Sequence, residues 1–149
     1  MQNDDPRLDV FSADVETILP LPFADAGIKA GFPSPAQDYL TESIDLNKEL
    51  VPHRETTFYA RVSGDSMRDA GICDGDLAVI DKSLDPKDGD FIAAFVDGEF
   101  TLKRFKVDAE YNCAWLIPAN PNYQPIKITE ADDFRVWGVV TYTIKQHHH

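Results

Sequence analysis

Basic residues are scarce in this chain of 149 residues: 14 Lys and Arg stand against 26 Asp and Glu, a formal charge of −12. Affinity for DNA or RNA rests mainly on cations neutralising phosphates, so this surface repels a polyanion and argues against direct nucleic-acid binding. A protein partner that itself sits on DNA stays open. Cysteine is nearly missing as well. Cys73 and Cys113 have no histidine or further cysteine at ligand spacing, so both read as small apolar residues, with no metal site and no disulfide framework. The start, Met-Gln-Asn-Asp-Asp-Pro, is polar and acidic where a secretory leader is basic and then apolar. No apolar run approaches the roughly 18 residues that a membrane span needs. These absences predict a cytoplasmic protein with reduced thiols, no membrane segment and no cofactor. His53 stands apart from the terminal His147-His148-His149, which resembles a purification-tag remnant and carries no metal argument.

What is there suffices for one domain and an arm: 43% of residues are hydrophobic and 11% aromatic. Residues 1–33 mix small, acidic and proline residues, with short apolar patches (Ile18, Leu19, Leu21, Phe23) that keep neither a helical nor a strand period. Pro20, Pro22, Pro33 and Pro35 discourage any long regular element there, so the stretch reads as an extended arm. Ser34-Pro35-Ala36-Gln37 has the order of a helix start, with Ser34 as N-cap, Pro35 in the first turn and Gln37 completing a capping box. It predicts a short helix to Leu40 or Ser43.

From Thr57 the pattern turns to strands, predicted over Thr57–Val62, Leu77–Asp81, Phe91–Val96, Glu99–Phe105, Ala114–Pro118 and Phe134–Ile144, with Lys127–Ile128 a further piece. Asp-Gly pairs at 74–75, 88–89 and 97–98 punctuate them, and the last suggests a type I′ hairpin. The expected fold is mostly β, a folded antiparallel sheet or barrel-like domain over 34–146, with the arm (1–33) before it and the tag remnant (147–149) after it.

One stretch raises a chemical question. Arg61-Val62-Ser63-Gly64-Asp65-Ser66-Met67 puts two serines where a strand ends. Ser63 still belongs to the strand-end run and is the weaker nucleophile candidate, whereas Ser66 opens a possible helical turn, Ser66–Gly71, whose N–H groups would face a developing oxyanion. A nucleophile needs a base. In Glu99-Phe100-Thr101-Leu102-Lys103-Arg104-Phe105, strand alternation sets Thr101, Lys103, Phe105 and Val107 on one largely apolar face, with Arg104 and Lys106 on the other. Lys103 reads either as an edge lysine reaching water or as a buried amine. Burial penalises an ammonium, and a lysine lowered by about three pKa units from about 10.4 supplies abundant free amine at a cost of about 4 kcal/mol. Such an amine takes the proton of a serine as it attacks a carbonyl, without histidine. Ser66 and Lys103 are far apart in sequence, so only the fold can pair them.

In combination, Ser63-Gly64-Asp65-Ser66-Met67, "GICDGDLAVID", "GDFIAAFVDGEFTLKRF", "IPANPNYQPI" and "VWGVV" resemble the LexA/UmuD family of self-cleaving serine peptidases. "AGFPSPAQDYL" followed by "IDLN" is similar to its UmuD branch, and the likeness runs from about Phe23 to Lys145. The resemblance implies Ser66 as nucleophile, Lys103 as general base and the backbone N–H groups of Asp65 and Ser66 as oxyanion donors. It implies a cut between a small residue and glycine within the arm, at Ala30-Gly31. Ala26-Gly27 is a second such pair, and Ala30-Gly31 is favoured by its place before Phe32-Pro33-Ser34-Pro35. A glycine after the cut bond suits a narrow cleft that a β-carbon would crowd. It further implies a homodimer, promotion of the cut by a RecA filament on single-stranded DNA, and a role in the SOS response as accessory subunit of a UmuC-type translesion DNA polymerase. Two other readings remain: a catalytically silent polymerase-interaction module, and a LexA-like repressor fragment. The short acidic arm lacks the helix-turn-helix that a repressor needs. A type I signal peptidase shares Ser–Lys chemistry but has a membrane anchor.

Overall fold

Asp97 and Gly98 both adopt positive φ, 50° and 84°, as a type I′ turn requires. The flanking apolar runs pair across it as β6 (Phe91–Val96) and β7 (Glu99–Asp108), from Val96 opposite Glu99 to Phe91 opposite Arg104. This hairpin lies within a computed structural model that describes residues 8–13, 20–23, 42–129 and 132–149. The other strands are β1 (Leu8–Ser12), β2 (Pro20–Phe23), β3 (Glu42–Asp45), β4 (Thr57–Val62), β5 (Leu77–Asp81), β8 (Cys113–Ile117), β9 (Ile126–Ile128) and β10 (Phe134–Ile144). Eight of them form one sheet in the order β1-β4-β5-β10-β6-β7-β8-β9, and β2 pairs with β3 separately. Every pairing is antiparallel.

The mostly β fold expected from the turn spacing is the fold observed. Four strands have the predicted bounds, β4, β5, β6 and β10. β7 runs on to Asp108 because its far end pairs with β8, Asp108 opposite Cys113. β10 spans 11 residues and serves two neighbours, β6 with its first half and β5 with its second. Its register shifts at Val136/Gly138 and at Val140/Tyr142; such irregularities bend a strand and increase its twist. At the first of them Gly138 leaves room for β5: a Cβ there would lie 2.6 Å from Ile80 Cγ2 and 3.2 Å from the Asp81 carbonyl oxygen.

The bent sheet encloses two apolar clusters. One joins Ala60, Val62, Met67, Ile72, Ala78, Ile80, Ala93, Leu102 and Val140. The other joins Ile92, Ala94, Leu116, Ile128 and Val139. Sheet curvature also brings the edge strand β1 against β7.

Between β2 and β4 the described residues begin at Glu42. Residues 34–41 lie outside the described residues, but Glu42 and Ser43 belong to β3, so no helix reaches Ser43. Helix α1 (Leu46–Leu50) comes instead from "IDLN", capped by Asp45, whose carboxylate accepts from the Asn47 N–H at 3.0 Å. In the arm, β1 pairs with β4 and β2 with β3. Pro20 and Pro22 are compatible with β2 because, among the described residues, that strand has a neighbour on one side only.

Candidate active site

Three strands separate β4 from β7 in the sheet order, which would hold their axes roughly 19 Å apart in a flat sheet at about 4.8 Å per strand. The folded sheet closes that gap. Lys103 Nζ, on β7, donates to Ser66 Oγ, in the turn after β4, at 3.0 Å. Ser66 is 0% and Lys103 2% exposed. The serine and lysine singled out from the sequence are therefore in direct hydrogen-bond contact, away from water.

The turn that holds Ser66 follows from its residues. Gly64 leaves β4 with φ 89°, a conformation glycine adopts at no steric cost, and its N–H donates to Asp74 Oδ1 at 2.9 Å. The predicted helical turn is a 3₁₀ turn over Arg68–Ala70, closed by Gly71 in the left-handed region. The Arg68 N–H donates to the Asp65 carbonyl and the Ala70 N–H to that of Met67, both at 3.1 Å. Among the described residues no acceptor meets the backbone N–H of Asp65 or of Ser66.

On β7 the alternation places Thr101 beside Lys103, and Lys103 Nζ donates to Thr101 Oγ1 at 2.8 Å. Opposite these two residues stand Ala94 and Ile92 of the second apolar cluster. Arg104 and Lys106 are exposed on the other face, as the pattern predicted. Taking an ammonium out of water penalises its charged form, and the two hydroxyls orient the amine.

Three further residues support the site, and sequence reading gave none of them a role. Thr101 had a signal, its position two residues before Lys103 on the same strand. Asn120 and Tyr123 lie in "IPANPNYQPI", a motif of the family resemblance, but nothing in it pointed to Asp65. Buried Asn120 donates through Nδ2 to the Asp65 carbonyl at 2.9 Å, and the Tyr123 hydroxyl donates to Asp65 Oδ1 at 2.7 Å. Just before them, Ala119 clasps the loop: its N–H donates to the Ser66 carbonyl at 2.8 Å, and its carbonyl accepts from the Asp69 N–H at 2.7 Å. Ala30 and Gly31, and the alternative pair Ala26 and Gly27, lie outside the described residues.

His53 belongs to a separate cluster. Its Nδ1 lies 2.6 Å from Asp81 Oδ2, while Thr56 Oγ1, Ser83 Oγ and the Ser83 N–H donate to Asp81 Oδ1. Burial pushes the Asp81 carboxyl up, but hydrogen bonds from His53, Ser83 and Thr56 outweigh it and hold the group at about 2. A cavity of about 620 Å³ there is lined by His53, Asp81 and Lys87 among others, and by neither Ser66 nor Lys103. Among the described residues no group of three His, Cys, Asp or Glu side chains is placed to hold a metal, and no helix is long and apolar enough to cross a membrane.

Residues 22–141 match the Peptidase S24-like family. The chain belongs to that family of serine peptidases, as a UmuD-like member of its LexA/UmuD group. It is similar to Protein MucA of Salmonella typhimurium, with 36% identity over 144 residues, 95% of this chain and 96% of that protein. Protein SamA of the same species is 42% identical over 112 residues, 75% of this chain and 76% of its own. Protein ImpA of Shigella flexneri is 38% identical over 141 residues, 89% of this chain and 88% of its own.

Proposed function

We propose that the protein cuts its own N-terminal arm at Ala30-Gly31, with Ser66 as nucleophile and Lys103 as general base. The observation that carries this reading is the 3.0 Å contact between Lys103 Nζ and Ser66 Oγ with both residues buried. With the amine neutral, the hydrogen bond on that line reverses and the Ser66 hydroxyl donates to the nitrogen lone pair. Attack on the Ala30 carbonyl forms the Oγ–C bond as the hydroxyl proton passes to Nζ. The oxyanion is received by the N–H groups of Asp65 and Ser66. Collapse breaks the C–N bond to Gly31, and the Lys103 ammonium returns its proton to the departing amine. Water, deprotonated by the same neutral amine, then hydrolyses the acyl-serine.

Thr101 holds the amine on the line of attack. The arm enters the cleft rarely because docking and lysine deprotonation are needed together, so the cut is slow alone and promoted by a RecA filament on single-stranded DNA. The shortened chain, as a homodimer, serves a UmuC-type translesion polymerase in the SOS response.

The test follows the mass of the pure protein at about pH 7 and about pH 10, where more of a lysine is neutral. The expected result is a split after Ala30 that accelerates in alkali and is absent in Ser66→Ala and Lys103→Ala. An uncut chain at both pH values, RecA filament included, would leave a silent interaction module.

A further inference from the structure

β4 turns one edge to the sheet and the other to the arm. The Val62 N–H donates to the Asp76 carbonyl and the Lys82 N–H to that of Thr56, both at 2.8 Å and both on the β5 side. Hydrogen bonding in an antiparallel strand alternates residue by residue between its two edges. Phe58 and Ala60 therefore also turn towards β5, and Tyr59 and Arg61 turn outward. On that outer edge the register sets Phe11 opposite Tyr59 and Asp9 opposite Arg61. β1 thus occupies backbone groups that would otherwise be the open edge of the sheet.

The seat and its occupant are built differently. On β4, Ala60 and Val62 are 0% and 1% exposed, whereas on β1, Val10 and Phe11 are 42% and 53% exposed. At Val10 and Phe11, β1 is held by its ladder more than by buried side chains. It also lies before the proposed cut, on the piece of chain that cleavage separates.

We propose that the outer edge of β4 is a strand-docking site for a partner protein, closed by β1 in the intact chain and opened when the arm leaves. The occupant is an extended segment running antiparallel to β4, with apolar residues in register with Ala60 and Val62 and an acidic residue in register with Arg61, the positions that Val10, Leu8 and Asp9 take in β1. Main-chain hydrogen bonds supply affinity in such strand addition, and the alternate side chains supply selectivity. A second copy without its arm has lost β1 too, and β4 contains no acid to set against Arg61. The opening event rests on the cleavage reading; the docking site does not.

The test uses full-length chain carrying Ser66→Ala, which removes the nucleophile, and a fluorescent peptide with the sequence of residues 7–13 as probe. Phe11→Pro removes the N–H that β1 directs at Tyr59. It should raise affinity for the peptide at least about tenfold and speed amide exchange at Tyr59 and Arg61, but not at Phe58 and Ala60. A peptide with proline at the Phe11 position should not bind. Val10→Cys with Ala60→Cys, a pair without mutual backbone bonds, should lock β1 down and block uptake until reduced. Should Phe11→Pro unfold the chain, seen as lost protection at Ile80 and Leu102, the locked and reduced forms decide alone. Peptide binding indifferent to the lock, or no binding by a folded Phe11→Pro chain with fast exchange at Tyr59, overturns the proposal. Because Ser66→Ala is present throughout, failure of the cleavage reading appears separately, as an uncut chain that retains Ser66.

Discussion

β7 and β1 belong to one sheet and are held in opposite ways. The stretch Thr101-Leu102-Lys103 of β7 is buried and paired with β6, whereas β1 is an edge strand whose Val10 and Phe11 stay half in water. Burial in the middle fixes atoms to within a hydrogen bond's tolerance, which the proposed chemistry needs. An edge strand whose Val10 and Phe11 are this exposed costs little to lose, which suits the proposed loss of the arm. A residue's distance from the edge should therefore predict whether its substitution damages chemistry, stability or only the arm's hold.

The largest effect is expected at the centre. Ser66→Ala, and Lys103→Met, which keeps most of the volume, should each slow arm cleavage by at least about a thousandfold while the thermal transition remains cooperative. Mass measured over time checks this. Next comes the core itself. Leu102→Ala should destabilise the fold by about 3 kcal/mol, and Gly138→Ala, whose new methyl meets Ile80, by about 2 kcal/mol, both read from urea denaturation.

The Asp81 cluster should show a pH dependence of the same order. Its carboxyl is held below the ordinary 3.8, at about 2. A group with a lowered folded-state value contributes stability above its unfolded value and loses it as pH falls through the folded one. Between 3.8 and about 2, Asp81 should thus forfeit about 2 kcal/mol. Asp81→Asn should flatten that part of a stability-against-pH curve, and an unchanged slope would contradict the assignment. The smallest effect is expected at the edge: Phe11→Ala should cost less than about 1 kcal/mol of global stability while loosening β1. A large loss there would erase the contrast between edge and centre.

Much of the fold was legible because short apolar runs between Asp-Gly turns leave few alternatives to antiparallel strands. The bounds of β4, β5, β6 and β10 came out as read. The strand from Leu8 to Ser12 did not, because its partner lies some 50 residues later and its own pattern is weak. At the site, Ser66 and Lys103 were recognisable by chemistry and resemblance, yet their contact spans 37 positions and needs the bent sheet. Thr101 was within reach of a period-two argument. The role of Asn120 was not: its motif marked the segment, but its bond to Asp65 spans 55 positions and needs the fold.

The clasp at Ala119 has a consequence for how this chain tolerates change. Ser66 answers to two stretches of sequence at once, its own loop and the Pro118–Tyr123 segment that grips it from behind. Lengthening the connection after β8 by a single residue would shift the grip and carry the hydroxyl with it, so an insertion there should silence the enzyme as surely as a substitution at the serine.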